Sequence, residues 1–513
     1  MPLAPDRDIA WEKDFGSAAY RPVIRSLRNI PQTMEIPDES PKNQFEVEAE
    51  ERPPLYRPGR PPMFTPQHSF QKDGSATKST IFQSYSTVAS ATPPRLLSRF
   101  PGIPAPSRVQ PDSIIAAGPS RVMVAVNSSI AIFSKTGARR FQTSFSSWFA
   151  SLNIGTTNLF DPRLLYDQYS GHFIFMCDAR RSDHRSWYLF SVSKTSDPEG
   201  EWAFWALDMT LNGRKRVDLW ADFPRIGVDK NAIYLTANMT NFTTFQYRYA
   251  KLRILKKSEV YAFANIHPRD FWNLKDATGA LAFDIAPAHS FGNAEVEYMA
   301  STNLVSGNTL TLWSITGGGT NDPSLKKTGV TVSSYSIAPS AEQKGGGNRT
   351  NTGTPNPSSA VFRSGFLYTA INTALDWGSG TVSAIRFYKV SRKGVLQQEI
   401  TYGADGFFYF FPAVSVDARG NIVLVFNRSS ASEFIGMFYA GRKRLDPPDN
   451  FSDSLPLQTG IDNFENPYTG SNLNRWGDYN GAARDPGGSL WIYSQFVKDP
   501  VNYGTEIGRL TYK

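Results

Sequence analysis

From residue 107 onward one pattern recurs in this 513-residue chain, and few folds can accommodate it. FDPRLLYDQYSGHFIFMC (160–177), DFPRIGVDKNAIYLTANM (222–239), FPAVSVDARGNIVLVFN (411–427) and DYNGAARDPGGSLWIYSQF (478–496) each run a strand up to an Asp, turn, and continue into a strongly apolar strand. The aspartates are Asp167, Asp229, Asp417 and Asp485. SSAVFRSGFLYTAIN (358–372) carries Arg363 at that place, and PDSIIAAGPSRVMVAVN (111–127) and FDIAPAHSFGNAEVEYMAST (283–302) bring the series to seven. A third strand follows each pair, as in WYLFSVS (187–193) and AIRFYKV (384–390).

Such units cannot bury both faces of their own sheet, whereas stacking them radially around an axis covers every face with a neighbour. The second strands are apolar at almost every position (HFIFMC, AIYLTA, NIVLVF), as a strand covered on both faces requires. A β-sandwich would alternate instead. The length also exceeds what one hydrophobic core supports. The expectation is an all-β fold, a β-propeller over 107–513 with seven blades, six being the alternative. Its ring is closed by strands from both ends of the domain, TEIGRLTY (505–512) among them.

Residues 1–106 differ in character. They hold 17 of the 35 prolines, and 35–51 add an acidic cluster with little apolar periodicity. Repeated prolines in PPLYRPGRPPMF (53–64) exclude helix and central strand. This N-terminal stretch is therefore expected to be an extended, Pro-rich arm, either a disordered tail or a segment docked on its own propeller or on a neighbouring subunit. Trp11, Phe15, Tyr20, Tyr56 and Phe64 are its candidate anchors. As a tail, residues 1–64 could be removed with little effect on unfolding.

Several classes find no support. A net charge of +8 spread over a large surface, without a recognition module, argues against nucleic acid as partner. No run of 18 apolar residues spans a bilayer, and acidic residues in the opening MPLAPDRDIAWEKDFG leave no room for a signal-peptide core. The single cysteine, Cys177, excludes an intrachain disulfide and reads as core. Five scattered histidines, with no HExxH and no calcium-loop spacing, give no metal site, and the Gly-rich strings at 317–323 and 345–353 lack the helix and Lys-Ser/Thr of a phosphate cradle. No GxSxG elbow appears. No cofactor is expected.

PDSIIAAGPSRVMVAVNSSIAIFSKTG, FDPRLLYDQYSGHFIF, SVSKTSDPEGEW, DFPRIGVDKNAIYLTANM and NRWGDYNGAARDPGGSLWIY together resemble a group of uncharacterised bacterial β-propeller proteins of the sialidase-like fold class, over about residues 110–513. The resemblance implies a propeller and a setting outside the cell or on its surface. SVSKTSDPEGEW (191–202) is similar to the Asp-box turn of sialidases, a folding element remote from chemistry.

In a propeller the first strands start around one mouth of the central channel, so polar residues just before them converge. These are Asp112, Asp161 with Arg163, Asp222 with Arg225, His289, Asn356, and Arg475 with Asp478. Arginine forks suit carboxylates or sulfates, and carboxylates accept sugar hydroxyls or donate protons. The same pairs would also serve as ion pairs tying neighbouring blades. The resemblance adds a sialidase-like assignment, with Arg163, Arg225 and Arg475 on a substrate carboxylate, Tyr479 as nucleophile and Asp161 or Asp222 as acid. A lyase would use His289 as base. The sequence thus points to a module binding a glycan or a protein surface at the channel mouth. The alternatives are a glycoside hydrolase or polysaccharide lyase, and a structural component of a virion or surface assembly that self-associates through the arm.

Overall fold

The computed structural model describes residues 11–16, 18–33, 91–105, 110–155, 157–467 and 471–513. Among them, antiparallel pairing forms seven groups of four strands or more, lettered A to G in chain order, besides the short pair Leu211–Asn212 with Lys215–Arg216. Sheet A comprises Ile114–Ala117, Arg121–Val126, Ser129–Ser134 and Arg139–Ser144. Sheet B comprises Asn158–Asp167, His172–Arg181, Arg185–Ser193 and Glu201–Asp208. Sheet C holds Leu219–Val228, Ala232–Asn241, Tyr247–Lys256 and Arg269–Trp272. Sheet D holds Ala286–Ser290, Glu297–Thr302, Ser306–Thr316 and Ser324–Ser336. Sheet E runs from Ala360–Arg363 to Leu396–Tyr402, and sheet F from Phe407–Val416 to Leu455–Gln458. Sheet G combines Gly481–Arg484, Leu490–Asp499 and Asn502–Thr511 with Arg95–Pro101.

The cores lie between sheets, not within them. Phe141, Trp148 and Phe175 fill the A/B seam; Phe190, Leu235 and Met239 the B/C seam; Trp313 and Phe271 the C/D seam. The series continues through D/E, E/F and F/G, and ends with Phe100, Trp491 and Tyr493 of sheet G against Ile115, Val122 and Phe133 of sheet A. Seams in cyclic order make the fold a β-propeller, closed where G meets A. Burial at about 25 cal/mol per Å² acts at every seam, so no blade is stable without its neighbours.

Closure uses a strand that the sequence reading left in the arm. Arg95–Pro101 pairs with Asn502–Thr511 as the outermost strand of the last sheet. Flanked by Pro93, Pro94 and Pro104, it looks like linker, but an edge strand with one unpaired side tolerates prolines at its ends. The earlier part of the arm docks as well. Glu12–Asp14 adds to the rim of sheet C beside Arg269–Trp272, and Val23–Ser26 adds to sheet B beside Glu201–Asp208. Trp11 packs 6.4 Å from Trp313, Phe15 5.3 Å from Phe271, and Tyr20 packs on the B/C seam. Leu27 and Ile30 are buried in the A/B seam. Tyr56 and Phe64 lie outside the described residues.

The repeated aspartates are turn formers. Asp229 accepts the N–H groups of Asn231 and Ala232, Asp417 those of Arg419 and Asn421, and Asp485 that of Ser489. In the Asp-box-like turn, Asp197 accepts the Glu199 N–H and buried Trp202 donates its indole N–H to the Pro198 carbonyl.

Candidate functional site at the channel mouth

Three first strands share a local device. Phe160-Asp-Pro-Arg163, Asp222-Phe-Pro-Arg225 and Phe410-Phe-Pro-Ala413 each carry a bulge after the first residue, opposite Asp178, Asn238 and Asn427 respectively. The second residue is left-handed in each: Asp161 at φ 53°, Phe223 at 57°, Phe411 at 54°. Proline follows because a bulge position needs no ladder donor. Asp112 and Asp284 hold the same backbone region at the starts of sheets A and D. A non-glycine residue costs about 1–3 kcal/mol there, so the surroundings must hold it. Side-chain amides of the preceding sheet do so: Asn127 accepts the Asp161 N–H at 2.7 Å, Asn238 that of Asp284 at 3.0 Å, and Asn372 that of Phe411 at 3.1 Å.

The bulges turn these side chains into one cavity of about 1060 Å³, counting the space open at its mouth. Asp161, Asp222, Arg225, Asn356, Arg475 and Asp478 line it, together with Phe223, Tyr247 and Phe283. The sequence argument had not singled out the aromatic residues or Asp284. Each arginine of the mouth is engaged by a protein carboxylate. Arg225 makes a bidentate pair with Asp284 of the next sheet, at 2.8 and 2.9 Å, with both side chains almost fully buried. Burial opposes the guanidinium charge, but Asp284 outweighs it and raises Arg225 above its ordinary value. Arg475 pairs with Asp478 at 2.7 and 2.8 Å and also donates to Gln110.

Of the other four predicted residues, Asp112 is buried beside the mouth, where it accepts the Asp478 N–H and the Asn127 side-chain N–H, and three lie elsewhere. Arg163 is buried, donates through Nε to the Pro224 carbonyl and stacks over the Tyr479 ring, 3.4 Å from its centroid. Tyr479 is fully buried, its hydroxyl donates to the Pro162 carbonyl, and burial pushes it well above the ordinary phenol range. These bonds tie sheet B to C and G to B. His289 borders a second cavity inside the channel, where it meets Gln168 Oε1 at 2.7 Å and stacks on Phe291.

Burial, with Lys257, Arg363 and Arg484 adding to it, pushes His289 down to about 3. The folded protein therefore keeps a neutral ring where the unfolded chain takes a proton below about pH 6.5. Stability should fall as the pH drops from about 6.5 toward 3, by up to about 1.4 kcal/mol per pH unit from this group. In His289→Gln that component should vanish from urea unfolding measured across the range. An unchanged pH profile would show that His289 titrates alike in both states.

No family model matches this sequence, and no curated protein matches it. Solved structures with partial similarity include the phage phi92 endosialidase, at 8% identity and TM-score 0.41, covering 67% of this chain and 66% of that one. A Trypanosoma rangeli sialidase mutant displaying trans-sialidase activity matches at 12% identity and TM-score 0.34, over 75% of this chain and 57% of that one. A Cellvibrio cellulosa α-L-arabinanase complexed with arabinohexaose matches at 11% identity and TM-score 0.28, over 68% and 95%. Among the described residues no helix is long and apolar enough to cross a membrane.

Proposed function

We propose that the chain is a seven-bladed propeller that binds a neutral saccharide in the channel mouth. One observation carries the reading: the partly exposed rings of Phe223, Tyr247 and Phe283 share a cavity with Asp161, Asp222 and Asn356. Aromatic faces cover the apolar C–H faces of a sugar, while carboxylates and amides accept and donate to its hydroxyls. The charge balance supports a neutral ligand. Arg225 and Arg475 already hold Asp284 and Asp478, so an incoming sialate or uronate would displace a buried carboxylate and meet Asp161 and Asp222.

A glycan array separates these classes. The expected result is retention on neutral oligosaccharides with sialylated and uronate-containing glycans at background; the opposite order would overturn the reading. Hydrolysis is a second reading, favoured by carboxylate oxygens of Asp161 and Asp222 lying within 4.8 Å of each other. It predicts release of sugar from the array hit by the parent and none by Asp222→Asn.

A further inference from the structure

The second strands of five sheets carry a repeated polar residue in, or directly after, their later half beside the mouth: Asn127, Asp178, Asn238, Asn372 and Asn427. At three of these places asparagine serves the architecture: Asn127, Asn238 and Asn372 accept through the amide oxygen the N–H of the left-handed residue of the next sheet, and Asn127 and Asn372 donate their N–H₂ to Asp112 and to the Thr352 carbonyl. Asp178 occupies the same register place, opposite Phe160 as Asn238 is opposite Asp222 and Asn427 opposite Phe410. It does not do the same job. It is only 1% exposed, and neither carboxylate oxygen has a hydrogen-bond donor among the described residues.

Its neighbours are carboxylates. Asp161, Asp178 and Asp222 each bring an oxygen within 4.8 Å of the other two, and Asp161 and Asp222 face the mouth cavity. Arg163, the cation that bears on Asp178, is stacked on Tyr479 and donates through Nε to a backbone carbonyl. A buried carboxylate without donors costs several kcal/mol unless something neutralises it.

We propose that Asp161, Asp178 and Asp222 hold a divalent cation of the calcium type between sheets B and C, at the wall of the channel mouth. Three carboxylates are a hard oxygen donor set, which selects Ca²⁺ or Mg²⁺ over softer metals. Oxygens within 4.8 Å of one another can all reach one ion at Ca–O distances of roughly 2.4 Å, and a set of three carboxylates without octahedral order suits the flexible coordination of Ca²⁺ better than that of Mg²⁺, which demands near-ideal octahedral geometry. The side of the ion facing the cavity takes water. Without the ion, burial and the carboxylates of Asp161 and Asp222 push Asp178 well above the usual carboxylate range. The ion would also engage the two carboxylates that the hydrolase reading needs free.

The test is calorimetric titration of CaCl₂ into the full chain after chelator treatment, with no saccharide present, so that its outcome is separate from that of the glycan reading. One ion per chain is expected, with Kd on the order of 10⁻⁵ to 10⁻³ M and Mg²⁺ at least tenfold weaker. A hundredfold excess of Ca²⁺ over Kd should favour the folded state by a factor of about 100 and raise the melting temperature. Asp178→Asn should abolish the heat and the shift, while melting without Ca²⁺ at or above the stripped parent, because the amide suits the place that Asn238 and Asn427 fill. No stoichiometric heat in the parent, or Ca²⁺ binding retained in Asp178→Asn, would overturn the proposal and leave Asp178 as a protonated acid.

Discussion

Replacing Arg225 by Met should destabilise the propeller by about 3–5 kcal/mol, because Asp284 would be left charged and buried without its partner. The loss belongs to the unpaired carboxylate and not to the missing guanidinium alone. Removing both charges in Arg225→Met/Asp284→Asn should therefore recover much of it, since no unpaired charge is left buried and Asn accepts the left-handed backbone at φ 45°. Equilibrium unfolding in urea, compared among parent, single and double variants, reads the difference. A double variant as unstable as the single one would show instead that Arg225 acts through its contacts with the rings of Phe223 and Tyr479, 4.3 and 5.5 Å away.

A second large effect is expected at the rim. A chain shortened to begin at residue 34 loses the strands Glu12–Asp14 and Val23–Ser26 and the buried Leu27 and Ile30. Each of those two side chains contributes about 1.5–3 kcal/mol by burial. Removal also bares the outer edges of sheets B and C, which then offer unpaired N–H and C=O groups to other chains. The expected outcome is a melting temperature lower by several degrees, with concentration-dependent association on size-exclusion chromatography. Composition alone predicts a separable tail; the docked anchors predict the reverse, and unchanged melting of the shortened chain would show that they add little.

The contrast between those two expectations marks what a sequence of this kind exposes. The ring was legible because strand periodicity and turn chemistry are local: the run HFIFMC and the turn at Asp229 report their own surroundings. The arm's two rim strands, Glu12–Asp14 and Val23–Ser26, are three and four residues long and take their conformation from the edges they meet, a non-local cause with no periodicity to read. At the mouth, Asp161 and Asp222 could be found because each stands near the start of its copy of the repeat; the structure places both inside the first strands, at the bulges. His289 also sits on a first strand, but five residues beyond the left-handed Asp284, and that distance carries it into the channel. Asp178 was hidden inside a strand, directly after the apolar run HFIFMC. Its signal was the departure from Asn at the equivalent places, which becomes meaningful only once register shows the places to be equivalent. Three carboxylates drawn from three strands leave no spacing for a metal motif to match.

The claim that the mouth grips a neutral saccharide through its aromatic wall is tested most directly by isothermal titration of an array-selected neutral oligosaccharide into the parent and Phe223→Gly. Glycine removes the ring but accepts the left-handed backbone at φ 57° without strain, so folding should be little affected. Binding should weaken at least tenfold, about 1.4 kcal/mol, with melting within about two degrees of the parent. Equal affinity in the two proteins, or a parent that binds only anionic glycans, would contradict it.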